Sequence, residues 1–100
     1  MSGDFEIGMA TKPLEQEETI TRLLPPYNVI LENDDHHSME FVIGVLQKAL
    51  GYNEQRSYQL MMLAHESGQA IVWTGHREPA ELYWEQLAGH GLTMAPLEGA

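Results

Sequence analysis

The sequence predicts an α+β domain of order β-α-α-β-α-β, a three-stranded antiparallel sheet covered on one face by three helices. Three observations predict it. Two short runs rich in β-formers, Tyr27–Glu32 and residues 69–74, are each bounded by turn residues. Between and after them lie stretches whose apolar residues recur every three or four positions. Glycines stand at the points where those helical patterns stop.

The first strand, Tyr27 to Glu32, has Pro25-Pro26 before it and Asn33-Asp34-Asp35 after it. Met39, Val42, Ile43, Leu46, Ala49 and Leu50 then give an amphipathic helix with an inward apolar stripe, ended by Gly51. Asn53 is placed to cap a second helix, along which Tyr58, Met61, Met62 and His65 share a face. Leu60, Leu63 and Ala64 widen that face, so burial on more than one side is expected before Gly68 ends the helix. Residues 69–74 form the second strand and Gly75 breaks it. A third helix is expected over residues 78–88, with Pro79 tolerated in its first turn. Gly89-His90-Gly91 is a turn, and residues 92–97 read as a final strand, confined to an edge by Pro96.

Composition narrows the function. One hundred residues, 43% of them apolar, suffice for one small core. Fifteen acidic against five basic side chains give a formal charge of −10, which argues against nucleic acid and against docking on anionic lipid. Without cysteine there is no disulfide, no thiolate nucleophile and no Cys-based zinc site. No apolar run approaches the roughly 18 residues of a membrane span. The first twenty residues show no basic-then-apolar pattern of a secretory signal, so a soluble cytoplasmic protein, expected to be a monomer, is the default. Residues 1–24 have too few apolar side chains to close a core and read as a flexible extension, with the folded domain spanning residues 25–100.

The chemistry-bearing candidates cluster at residues 33–37, Asn-Asp-Asp-His-His. At its plainest this is a helix-entry loop, with Ser38 or Asp35 capping the helix. A metal site fits poorly, because consecutive residues do not converge on one ion and the metalloprotease and EF-hand spacings are absent. Ser67 beside His65 lacks a nucleophile elbow, so no catalytic group, metal or cofactor is expected. Recognition remains. Asp34 offers a charged acceptor, Asn33 a donor and an acceptor, and neutral His65 another acceptor, near an apolar wall of Met39, Val42, Met61 and Ala64. Such a set suits an ammonium beside a large apolar side chain, as at the free start of a peptide.

Residues 27–35, Tyr-Asn-Val-Ile-Leu-Glu-Asn-Asp-Asp, followed by Met39-Glu40-Phe41-Val42, Leu60-Met61, Ala64-His65 and Gly68-Gln69-Ala70, resemble the ClpS adaptor family across residues 27–98. The resemblance implies a non-catalytic bacterial adaptor of the N-degron pathway. Such an adaptor binds proteins that begin with Phe, Tyr, Trp or Leu and delivers them to the ClpA unfoldase, an AAA+ enzyme that feeds ClpP. By the same resemblance, Asn33, Asp34 and His65 hold the α-amino group, and Met39, Val42, Met61, Ala64 and Thr93 line the side-chain pocket, Met39 excluding β-branched residues. Glu78 and Tyr83 fall on the unfoldase-facing surface, and residues 1–24 match the tail that engages the unfoldase. His37-Ser38 replaces the Thr-Pro frequent before the helix. Ala64 and Thr93 replace the Val and Leu common there, which implies a roomier pocket with a more polar rim. The other class of function left open is a small acidic interaction domain without terminus specificity.

Overall fold

The computed structural model describes residues 25–99, so the extension expected over residues 1–24 lies outside the described residues. Strand β1 is Tyr27–Glu32, followed by helices α1, Met39–Leu50, and α2, Glu54–Ser67. Strand β2, Gln69–Gly75, helix α3, Arg77–Gly89, and a two-residue strand β3, Glu98–Gly99, complete the chain. The sheet is antiparallel with β1 in the middle, in the order β2-β1-β3. The α+β class and the order of elements agree with the sequence. The third strand is much smaller than expected. Residues 92–97 touch β1 through a single Leu31–Met94 bridge, and only Glu98–Gly99 pairs further along, with Tyr27 and Asn28. Pro96 explains the gap, since it has no N–H to continue a ladder between the two.

Helix ends follow local chemistry. Ser38 Oγ accepts the Phe41 amide at 3.1 Å and Asn53 Oδ1 accepts the Arg56 amide at 2.8 Å, capping α1 and α2. Gly51 and Gly68 close the two helices in the left-handed region, at φ 73° and 92°.

Burial alternates along β1, with Val29 and Leu31 inward. On β2 the alternation is broken by a bulge: Val29 pairs with Trp73 and Ile30 with Ile71, leaving Val72 as the extra residue. Val72 and Trp73 therefore both turn toward the helices, while Ile71 stays half exposed on the open face. The Tyr52 hydroxyl donates to the Val72 carbonyl at 2.6 Å, satisfying a group at the bulge. Helices α2 and α3 pack on the sheet, and α1 packs across both of them. Val29, Leu31, Leu46, Leu60, Val72 and Leu87 centre the shared core. Helix α2 buries one side only, through Ser57, Leu60, Met61 and Ala64. Tyr58 and Leu63 are exposed, so burial on more than one side, expected from sequence, is not found.

Candidate functional site

The exit from β1 carries the polar cluster into a loop that lies between the end of α2 and the segment after α3. On one side the Asn33 amide donates to the Gly68 carbonyl at 2.9 Å, at the α2–β2 junction. On the other, the Glu32 amide donates to Thr93 O at 2.9 Å and the Ala95 amide to Ile30 O at 3.0 Å. The Trp84 indole N–H, bonded to Ala95 O at 2.7 Å, fixes the same segment from α3. A loop so anchored at its base holds its side chains in defined places.

Beside it opens a cavity of about 200 Å³. Leu31, Met39, Val42, Met61, Ala64 and Leu92 supply its apolar wall. Glu32, Asn33, Asp34, Asp35, His37 and His65 supply the polar side. Met61 and Ala64 are nearly buried, at 4% and 3% exposure, and form the inner end. Met39, at 43%, stands at the mouth. Among the described residues three carboxylates and neither lysine nor arginine line the space, so their field favours a cation.

The two aspartates differ. Asp34 Oδ1 accepts the His36 and His37 amides at 2.9 and 3.3 Å, and Oδ2 accepts the Thr93 hydroxyl at 2.6 Å. The Thr93 bond holds the Asp34 carboxyl below its ordinary value of 3.8. Partial burial opposes this, and the two amides and the nearby His37 reinforce it. Three of the carboxylate's roughly four acceptor positions are thereby used inside the protein. Asp35 is exposed, lines the same cavity, and makes no hydrogen bond or ion pair among the described residues. His37 adds a second tie, its Nε2 lying 2.7 Å from Gly91 O while its ring stacks on Phe41 at 4.7 Å.

Seven of the residues expected at the site therefore converge on one cavity: Asn33, Asp34, Met39, Val42, Met61, Ala64 and His65. Thr93 does not line it, so the roomier pocket expected from that position has no basis there. Its side chain is turned to Asp34, and the neighbouring Leu92, 5% exposed, is the wall residue. The sequence reading places Leu92 in the final strand and gives it no part in the pocket. Its position follows from the turn at Gly91, φ 95°, which sets which way residues 92 and 93 face. Glu78 and Tyr83 lie elsewhere, on α3. Glu78 is exposed in its first turn, and the Tyr83 ring packs on Trp73 at 5.0 Å. Among the described residues no cluster of metal-ligating side chains exists and no helix is long and apolar enough to cross a membrane.

Comparison with known proteins decides the family. Residues 23–95 match the family described as "ATP-dependent Clp protease adaptor protein ClpS". The chain belongs to the ClpS family. As a Clp protease adaptor it serves a protease rather than acting as an enzyme. The ClpS adapter of Nostoc sp. is 44% identical over 89 residues, covering 88% of this chain and 92% of that protein. The ClpS adapter of Thermosynechococcus vestitus is likewise 44% identical, over 87 residues, covering 86% and 93%. Among solved structures, Agrobacterium tumefaciens ClpS2 bound to L-phenylalaninamide superposes with a TM-score of 0.67. It is 33% identical, and the match covers 76% of this chain and 98% of that one.

Proposed function

We propose that this adaptor binds the free N-terminal residue of other proteins, with Phe, Tyr, Trp or Leu in its cavity, and delivers them to a ClpA-type unfoldase in the cytoplasm. The observation that carries it is the joining of an apolar hollow to a rim with a carboxylate, Asp35, that has no partner among the described residues and stands next to Asn33 and His65. A protein chain offers one place where an ammonium sits two bonds from a large apolar side chain, and that is its first residue. The relative bound to a phenylalanine amide supports the same ligand class.

In this arrangement the ammonium's three N–H donors are met by Asn33 Oδ1, a carboxylate and the neutral imidazole of His65. Asp34 was expected to be that carboxylate. Its three internal bonds favour giving the larger part to Asp35, with Asp34 shaping the loop and adding charge. The first side chain then fills the space between Met39 at the mouth and Met61 and Ala64 within. Burying an aromatic side chain contributes on the order of 2–3 kcal/mol over a small one. Protonation of His65 would set a cation beside the ligand's own and weaken binding. Delivery is assigned to α3, through the exposed Glu78 and the half-buried Tyr83, with the adaptor acting as a monomer.

Fluorescence anisotropy with peptides beginning Phe, Leu, Val and Ala, each free and N-acetylated, tests the proposal. Tight binding confined to free Phe and Leu peptides is expected. Equal binding across the set would favour an acidic interaction domain without terminus specificity.

A further inference from the structure

Thr93 stands outside the cavity, yet it makes the shortest bond to a residue that lines it. We propose that Thr93 is a positioning residue for the amine site: its hydroxyl, donated to Asp34 from the segment after α3, fixes the 33–37 turn in the shape that presents Asn33 and Asp35 to the cavity. The proposal rests on the function given above and names the part of the fold that sets its geometry.

Three features place the hydroxyl. Thr93 O accepts the Glu32 amide, so the residue is registered against the end of β1, one step before the turn it holds. Leu92, buried on one side of it, and Ala95, whose amide is bonded to Ile30 O, leave its backbone little freedom. With the main chain fixed, the side chain of residue 93 faces Asp34, and at 2.6 Å the contact is that of a hydroxyl donating to a carboxylate. Its effect passes through Asp34. One carboxylate oxygen gathers the His36 and His37 amides in an Asx-type turn, and the other is tied to Thr93. Asn33 and Asp35 flank Asp34 in the chain, so the backbone turn that these bonds hold sets the direction in which both neighbours leave it. The His37–Gly91 contact joins the same two segments and limits how far they part, but it does not orient Asp34. A site residue whose own rotamer is locked from outside loses less freedom when the ligand arrives.

The test compares Thr93→Val, which keeps the shape and removes the donor, with Thr93→Ser, which keeps the donor. Two quantities are read: affinity for a Phe-initiated peptide, free and acetylated, and the titration of the Asp34 carboxyl followed by carbon NMR in the unliganded protein. Thr93→Val should weaken the free peptide about fivefold to tenfold and move the Asp34 titration to higher pH. Thr93→Ser should restore both, the affinity to within about twofold. A role limited to packing would be kept by the isosteric Thr93→Val and lost in Thr93→Ser, with affinity and denaturation midpoint falling only in the serine variant, and that pattern overturns the proposal. Unchanged affinity in Thr93→Val overturns the proposal, and so does a loss that serine does not rescue, in a protein that still prefers free over acetylated peptide. If the unsubstituted protein shows no such preference, the functional reading itself falls and this proposal falls with it.

Discussion

Asp34→Asn and Asp35→Asn separate the two tasks assigned to adjacent carboxylates. Asparagine in place of Asp34 keeps an acceptor for the His36 and His37 amides but removes the charge from those bonds and from the Thr93 contact. Hydrogen bonds to a charged group contribute about 1.5–3 kcal/mol against about 1 for neutral pairs. The 3.3 Å contact adds little, which leaves two bonds that each lose roughly 0.5–2 kcal/mol, and partial exposure brings the sum to about 1 kcal/mol. The loss has a pH signature. Because the folded protein holds the Asp34 pKa below 3.8, its stabilising effect is fully present above that value and disappears as pH falls through the lower folded value. Wild type and Asp34→Asn should therefore differ by about 1 kcal/mol in urea unfolding at pH 7 and converge in strong acid. Asp35 has no partner to lose among the described residues, so Asp35→Asn should change stability by less than about 0.5 kcal/mol. Its cost falls on binding: losing a charge-assisted hydrogen bond to the ligand's ammonium removes about 1.5 kcal/mol or more, at least about tenfold in affinity for a free N-terminus. Urea titration and peptide anisotropy on the same preparations read both. If Asp35→Asn were the destabilising variant and left affinity intact, the division of roles would be wrong.

Two further substitutions test the scaffold. Ser57 is fully buried with no partner for its hydroxyl among the described residues, so Ser57→Ala should stabilise the domain by about 1 kcal/mol and raise the melting temperature by roughly 5 °C. A lower melting temperature would mean that the hydroxyl is satisfied. Tyr52→Phe deletes the bond to the Val72 carbonyl at the bulge and should cost about 1–1.5 kcal/mol, with faster amide exchange along β2. Stability equal to wild type would show that the bulge does not depend on Tyr52.

Where local chemistry decided the outcome, the sequence was legible. Strand β1 and helix α1 have the boundaries that Pro26, Ser38 and Gly51 impose. Asn53 and Gly68 do the same for α2. The apolar wall was legible too, because Met39 and Val42 share a helical face and so do Met61 and Ala64. Contacts between distant segments were not. The bulge that turns Trp73 inward is set by pairing with β1, and strict alternation along β2 would have sent that ring the other way. The pocket role expected of Thr93 went to Leu92 because the left-handed Gly91 and the bond to Asp34 orient the segment. Asp34 and Asp35 are indistinguishable as neighbouring letters. Only the donors that reach one of them, from His36, His37 and Thr93, tell them apart.

A crystal structure of this protein with a peptide beginning in Phe examines the claim at its source. The ammonium should lie within hydrogen-bond distance of Asn33, His65 and Asp35, with the phenyl ring enclosed by Val42, Met61, Ala64 and Leu92 under Met39. A peptide bound through its interior, or with its first residue pointing to solvent, would contradict the account.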